Sequence, residues 1–369
     1  MGVGQEDRSA AVRAEHLRKG SNTSMRATFM HGPGDVRVED VPDPRVERPT
    51  DAVVRVVLAC VCGSDLHPYR SAATTDEARP MGHEFLGVVE DTGSEVTGLE
   101  RGDFVVSPFA FADNTCPICL DGFHTACPRG GWYGAGGVGG AQAEAVRVPQ
   151  ADGTLVKVPG DVDPALLPSL LALTDVYLTG HHAARMGRVG PGKTVTVIGD
   201  GAVGLSAVLA SRRMGAERII LMGHHTSRTD LGREWGATDV VAERGEEGIA
   251  KVVELTGGEG SPVVLEAVGL MPAYEQAYGV VRPGGVISRV GVPQYELAPV
   301  GFGSLFGKNA GLTGGPAPVR AYLEQAVDDV LRGLVDPGRV FDAEVGLDQV
   351  ADAYRRMDSR SNLKVVVRP

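Results

Sequence analysis

Cys62, His83 and Glu84 stand upstream of a Gly199-x-Gly201-x-x-Gly204 turn, with Asp175 between them. A thiolate, an imidazole and carboxylates are donors that suit Zn²⁺, and three protein ligands with one open position is the catalytic form of such a site. A metal held this way polarises a substrate oxygen. In a chain that also carries a dinucleotide fingerprint, the expected chemistry is metal-assisted hydride transfer. A Cys and a His this far apart mean little alone; the combination carries the reading.

The glycines have the context that gives their motif meaning. Thr194-Val-Thr-Val-Ile runs directly into Gly199-Asp-Gly-Ala-Val-Gly and then into an Ala/Leu-rich helix. Gly199 permits the tight turn, Gly201 lets the backbone approach a pyrophosphate, and Gly204 lets helix pack on strand. The helix N-terminus, with Ala202 and Val203, is left to face phosphate charge. The plainer alternative is a glycine turn in a βαβ unit that binds nothing. About twenty residues on, where a carboxylate would accept the adenosine ribose hydroxyls, stands Gly223, followed by His224, His225 and Arg228. Without that carboxylate's repulsion, and with imidazoles and a guanidinium to pair with a 2′-phosphate, NADP(H) is expected over NAD(H). The competing reading makes both histidines exposed loop residues.

The elements that must position these residues fall into two patterns. From Phe29 to about Val148, short alternating or β-branched runs are broken by Gly and Pro clusters, which predicts an irregular β-rich domain. After Pro164 the period changes. Residues 165–185 read as one helix, and strands are expected at 195–199, 219–222, 239–242, 263–268, 285–291 and 311–313. Six strands separated by helix-length segments imply a doubly wound parallel sheet. A helix at 321–333 and a strand near 363–367 return to the first domain. The expected division is a leader or extension at 1–24, a catalytic domain at 25–175 completed by 320–369, and a dinucleotide-binding domain at 176–319.

Composition narrows the function classes. A chain of 369 residues, 43% apolar, can bury a substantial core in two domains. A net charge of −11 and no basic run longer than a pair such as Arg18-Lys19 disfavour a nucleic-acid partner. No apolar run is long enough to span a bilayer and the first residues lack a signal core, so a cytoplasmic location is expected. Five cysteines, grouped as Cys60/Cys62 and Cys116/Cys119/Cys127, suit metal or reactive chemistry better than a disulfide framework.

These stretches, Cys62-Gly-Ser-Asp-Leu-His67, Gly82-His-Glu84, the cysteine lobe, Gly199 to Gly204 and the strand near Leu363, resemble the zinc-containing medium-chain dehydrogenase/reductases, the alcohol dehydrogenase superfamily. The likeness runs from Met25 to Pro369. It implies a GroES-like β-rich catalytic domain plus a six-stranded Rossmann domain, in the α/β class. It further implies catalytic zinc on Cys62, His83 and the third position, here Asp175 where many members have Cys. Glu84 is then a transient ligand or an orienting neighbour of the metal. Ser64 exchanges the substrate's hydroxyl proton and His67 relays it to water. Thr179, Gly269, Gly291, Val292, Gly314 and Lys364 join the glycine turn as cofactor contacts. The lobe resembles a structural zinc site with Asp113 in place of the first of four thiolates: either Asp113, Cys116, Cys119 and Cys127 hold zinc, or the metal is lost and the thiols are free. Trp132, Tyr133, Leu86, Tyr177, His181 and Phe302 are candidate pocket residues or ordinary packing. A small alcohol or carbonyl substrate and a homodimer or homotetramer are expected. The rivals are a zinc-free quinone or enone reductase and a non-catalytic NADP(H)-binding protein on the same scaffold.

Overall fold

The computed structural model describes residues 24–71 and 77–369. The expected leader at 1–24 lies outside the described residues apart from Ser24. The chain divides into two compact units, the first running to Asp175 and resumed at Pro318–Pro369, the second Val176–Ala317.

The first unit is organised by the strand Ala52–Cys60, whose nine residues are all buried. Its run of valines suits a strand covered on both faces. Arg55, within that strand, is satisfied by Glu90, with Nε donating at 2.9 Å and Nη2 at 2.7 Å to one carboxylate oxygen. Phe85–Thr92 pairs antiparallel with Ala52–Cys60 on one side, followed by Phe104–Ser107 and Val156–Lys157. On the other side comes Val365–Arg368, from the far end of the chain, and beyond it Ala343–Gly346. The core beneath includes Phe85, Val105, Val146 and Tyr354. Residues more than 200 positions apart therefore share one apolar layer.

In the second unit six parallel strands lie in the order Asp239–Val241, Arg218–Met222, Thr194–Ile198, Ser261–Glu266, Val281–Arg289, Gly311–Gly314. This is a doubly wound sheet whose strand order reverses between its first and fourth strands in chain order, next to the glycine turn. All six strands expected from the sequence are present. Gly204 shows why its motif tolerates no side chain: a Cβ there would lie 1.9 Å from the Gly199 carbonyl oxygen.

One expected helix is broken. In place of a single helix at 165–185 there is a 3₁₀ turn Pro164–Leu166, a helix Leu167–Ala172 and a second helix Val176–Met186. The cause is local competition for backbone groups. Leu173 and Thr174 donate to carbonyls three residues back, and the Thr174 hydroxyl donates to the Leu171 carbonyl at 2.7 Å, so tight turns replace the helical ladder. The break delivers Asp175. The cysteine lobe, expected as irregular surface loop, contains a helix Pro117–Leu120 and a 3₁₀ turn His124–Ala126, with its three thiols buried. The late helix is Val319–Leu331 and the last strand starts at Val365, both two residues from their expected edges at that end. No helix among the described residues is long and apolar enough to cross a membrane.

Candidate active site

Three turns of the first unit bring the proposed ligands together. Cys62 caps the 3₁₀ turn Gly63–Asp65 just after the buried strand, His83 and Glu84 immediately precede Phe85–Thr92, and Asp175 sits in the helix break. One donor atom from each of Cys62, His83, Glu84 and Asp175 lies within 4.8 Å of every other. Cys62 Sγ is 3.6 Å and His83 Nε2 3.5 Å from Asp175 Oδ2. A zinc tetrahedron with bonds of about 2.0 Å to N or O and about 2.3 Å to S has edges of about 3.3 to 3.5 Å. These side chains thus match the size of a zinc site. The buried Glu84 Oε2 has no hydrogen-bond partner among the described residues, a vacancy that a cation would fill.

The electrostatics agree. Burial, with Glu84 and Asp175 adding to it, pushes the Cys62 thiol up to about 11. Burial alone would lower His83, but Asp65, Cys62 and Asp175 outweigh it and raise the imidazole well above its ordinary value. Without a metal the cluster therefore holds protons that a cation displaces. Burial also raises Glu84, against the pull of Lys364.

Lys364 is placed differently from expectation. It was expected among the cofactor contacts, but its ammonium group is buried and donates to Glu84 Oε1 at 2.7 Å and to the Val61 carbonyl at 3.2 Å. Two opposite charges buried together need each other, which makes Lys364 the counter-ion of the metal cluster. Asp65, not recognised in the sequence, stands behind His83: its Oδ1 is 3.5 Å from Nδ1 and its Oδ2 accepts the Cys62 N–H at 3.0 Å. A carboxylate behind a ligating imidazole orients it. Its nearness to Cys62 in the sequence was the available signal. Ser64 and His67 are half-buried on the same turn and the short helix that follows it. Burial and then Arg70 lower the His67 imidazole below its ordinary value.

The suggested pocket residues separate. Trp132 is half-exposed and stacks on Phe109 at 5.4 Å, and Phe109 meets the His83 ring edge-on at 6.4 Å. Phe109 went unrecognised in the sequence. Tyr133 and Leu86 are core residues, the tyrosine hydroxyl bonded to Ser107 Oγ at 2.9 Å. In the second unit Tyr177 is buried with its hydroxyl accepting from Arg213, His181 lies beside its ring, and Phe302 is exposed.

The second donor cluster is the lobe, where Asp113, Cys116, Cys119 and Cys127 also place ligand atoms within 4.8 Å of one another. Cys116 Sγ and Cys127 Sγ are 3.9 Å apart, near the edge of about 3.8 Å for two thiolates on zinc. Asp113 Oδ1 accepts the N–H groups of Thr115 and Cys116, and Oδ2 accepts from Arg129 Nε at 2.5 Å. Burial would raise Asp113, but these donors hold it well below the usual carboxylate range.

In the second unit the expected cofactor glycines fall together. Gly199, Gly223, Gly269, Gly291 and Gly314 follow or close the carboxyl ends of five adjacent parallel strands, where open α/β sheets bind ligands. Gly201 caps the helix Ala202–Arg213, with nothing within 4 Å of the place a side chain would take. Val292 is exposed just beyond Gly291, and Thr179 lies on the helix Val176–Met186. One residue was overlooked. Asp200, inside the glycine motif, fills the space beside Gly223, where a Cβ would meet its side chain at 2.5 Å. Its Oδ2 accepts the backbone N–H groups of His224 and His225 and faces His225 Nδ1, each at 2.9 Å. Arg244 lies against the exposed His224 ring, and Arg228 is on the helix Thr226–Glu234. A carboxylate therefore stands beside Gly223 after all, supplied by the glycine turn that follows the neighbouring strand Thr194–Ile198.

Comparison with known proteins agrees with this geometry. Residues 48–160 match the alcohol dehydrogenase GroES-like domain, and residues 202–331 the zinc-binding dehydrogenase domain. A zinc-type alcohol dehydrogenase of Aspergillus flavus is 34% identical over 94% of this chain and 82% of its own length. A probable zinc-binding alcohol dehydrogenase of Mycobacterium tuberculosis is 33% identical over 94% of this chain and 89% of its own. Among solved structures, an alcohol dehydrogenase from Thermus sp. ATN1 superimposes with a TM-score of 0.85 at 34% identity, covering 93% of this chain and 99% of that one. None of this favours a zinc-free reductase. The chain belongs to the zinc-dependent medium-chain dehydrogenases of the alcohol dehydrogenase superfamily and is an oxidoreductase.

Proposed function

We propose that this enzyme passes a hydride between NADP(H) and a small alcohol or its aldehyde or ketone, with zinc held by Cys62, His83 and Asp175. The observation that carries the reading is that Cys62 and His83 stand at zinc-site edge distances from Asp175, in one cluster with Glu84, which has an oxygen unsatisfied among the described residues. When bound, the metal would supply Lewis acidity toward a substrate oxygen, and the nicotinamide would supply or accept the hydride.

The chain's own residues do the rest. Ser64 takes or returns the hydroxyl proton, and His67, kept neutral near pH 7 by its lowered basicity, passes it to solvent. Glu84 shields the site's charge and can approach the metal position, while Lys364 limits its reach. Phe109 and Trp132 keep water from the face beside His83. Thr179, Val292 and the glycines at the sheet edge hold the dinucleotide, its pyrophosphate on the helix that starts at Ala202. Asp200 turns its carboxylate onto donors from His224 and His225 within its own turn, which lessens its repulsion toward a 2′-phosphate placed near His224, Arg228 and Arg244. In the lobe, Asp113 completes a Cys₃Asp zinc site that holds the fold. The working enzyme is a cytoplasmic homodimer or homotetramer.

Metal analysis of the purified enzyme should find two zinc ions per subunit, and one would leave the lobe empty. Absence of metal at Cys62, His83 and Asp175 would sink the proposal. Titration with the two cofactors should give at least about tenfold tighter binding of NADP⁺, since paired phosphate contacts contribute more than 1 kcal/mol. A preference for NAD⁺ would remove that part alone.

A further inference from the structure

Behind His83 the polar contacts do not stop at Asp65. Gln142, fully buried, donates its side-chain N–H to the Cys60 carbonyl at 3.1 Å and to Asp65 Oδ2 at 3.3 Å, and its side-chain oxygen accepts the hydroxyl of Tyr354 at 3.0 Å. Tyr354 is fully buried too, on the helix Val350–Asp358, with its ring against Tyr69 at 5.4 Å. The amide can point only one way. Reversed, its oxygen would face a carbonyl and a carboxylate, two acceptors with no proton between them, and its N–H₂ would face a hydroxyl that has lost its acceptor. With Oδ2 of Asp65 loaded by Gln142 and by the Cys62 N–H, Oδ1 is the oxygen left for His83 Nδ1. With a cation in the cluster, the imidazole would then keep its proton on Nδ1 and offer its Nε2 lone pair on the side of Asp175 and Cys62.

Resting on the zinc reading above, we infer that Gln142 and Tyr354 are positioning residues of the metal site, a buried Tyr354–Gln142–Asp65 chain that sets the tautomer and aim of His83. The chain joins three stretches far apart in sequence, the last of them after the dinucleotide-binding unit. The side chains that aim the metal ligand are therefore complete only when the C-terminal helix has packed against the first unit's sheet.

The readout is metal retention. Zinc-loaded wild type, Gln142→Leu and Tyr354→Phe are challenged with excess chelator, and release from the Cys62 site is identified as the phase missing in Cys62→Ser. Gln142→Leu should release that zinc about tenfold faster, the scale of a lost contact behind a metal ligand. Tyr354→Phe, which keeps its ring against Tyr69 and leaves the Gln142 oxygen without its donor, should release it several times faster, a rise larger than any lowering of the metal-stripped protein's melting point accounts for. Release from Tyr354→Phe at the wild-type rate, or a rise matched by a lower melting point of the stripped protein, overturns the inference. This second variant decides the question if Gln142→Leu does not fold. A wild type that never holds zinc at Cys62 would overturn the zinc reading as well, and so separates the two failures.

Discussion

The two donor clusters are built from similar atoms and differ in how their carboxylates are tied. In the lobe, Asp113 gives both oxygens to near neighbours, the N–H groups of Thr115 and Cys116 and the Arg129 guanidinium, and its ligands span only residues 113 to 127. In the candidate active site, Glu84 keeps one oxygen unsatisfied among the described residues, and the candidate ligands come from three separate turns between Cys62 and Asp175. Satisfying both oxygens of its carboxylate suits the lobe to a rigid staple, while leaving one carboxylate oxygen unsatisfied beside an open metal position suits a reactive site. The lobe is suited to holding shape and the other cluster to chemistry.

Substitutions can break that division of labour. Cys62→Ser should remove one zinc per subunit and lower alcohol oxidation by about 10³-fold, since the metal contributes several kcal/mol to transition-state stabilisation, with little loss of melting temperature. Steady-state kinetics beside metal analysis would check it; near-normal turnover without that zinc would place the chemistry elsewhere. Lys364→Met should destabilise the protein by about 3 kcal/mol or more, because it strands a buried Glu84 carboxylate, and adding Glu84→Gln should recover much of the loss. Denaturant melts of the single and double variants would show it. An additive double variant would mean that the pair is not coupled.

Cys119→Ser should release the lobe zinc and cost about 2 to 3 kcal/mol of stability, while the folded fraction keeps most of its turnover. If turnover fell as far as stability allowed the fold to persist, the lobe would be more than a staple. The smallest effect is one of pH. Because the folded Asp113 carboxyl titrates below its ordinary value, its contribution to stability is complete above about pH 4 and is lost as pH falls through the folded value. In metal-stripped protein, Asp113→Asn should therefore lower the melting point at pH 7 more than at pH 3. An equal penalty at both would show that the charge is not what the Thr115, Cys116 and Arg129 donors hold.

Legibility followed distance along the chain. The glycine turn is a contiguous strand, loop and helix, so its residues and their backbone demands could be read directly, and Gly204 meets the Gly199 carbonyl as its motif requires. Cys62, His83 and Asp175 were readable as residue types, but nothing local says that they meet. The helix was read straight through 173–175 because every residue there tolerates a helix, whereas the Thr174 hydroxyl bond to Leu171 favours a break. Asp200 was hidden inside the glycine motif that drew attention to its neighbours, and its place beside Gly223 depends on two adjacent strands. A lone lysine before a strand carries no sign of a buried carboxylate 280 residues away, so the sequence alone does not tie Lys364 to Glu84.

The sequence by itself determined the parallel sheet, the glycine turn and the kinds of atom available to a metal, because backbone period, turn strain and donor chemistry are properties of neighbouring residues. Only the tertiary structure decided that Asp175 closes on Cys62, that Lys364 belongs to Glu84, and that Gln142 and Tyr354 stand behind His83. Those pairings are made by burial, where an unpartnered charge or amide is costly, and burial exists only after distant strands have packed.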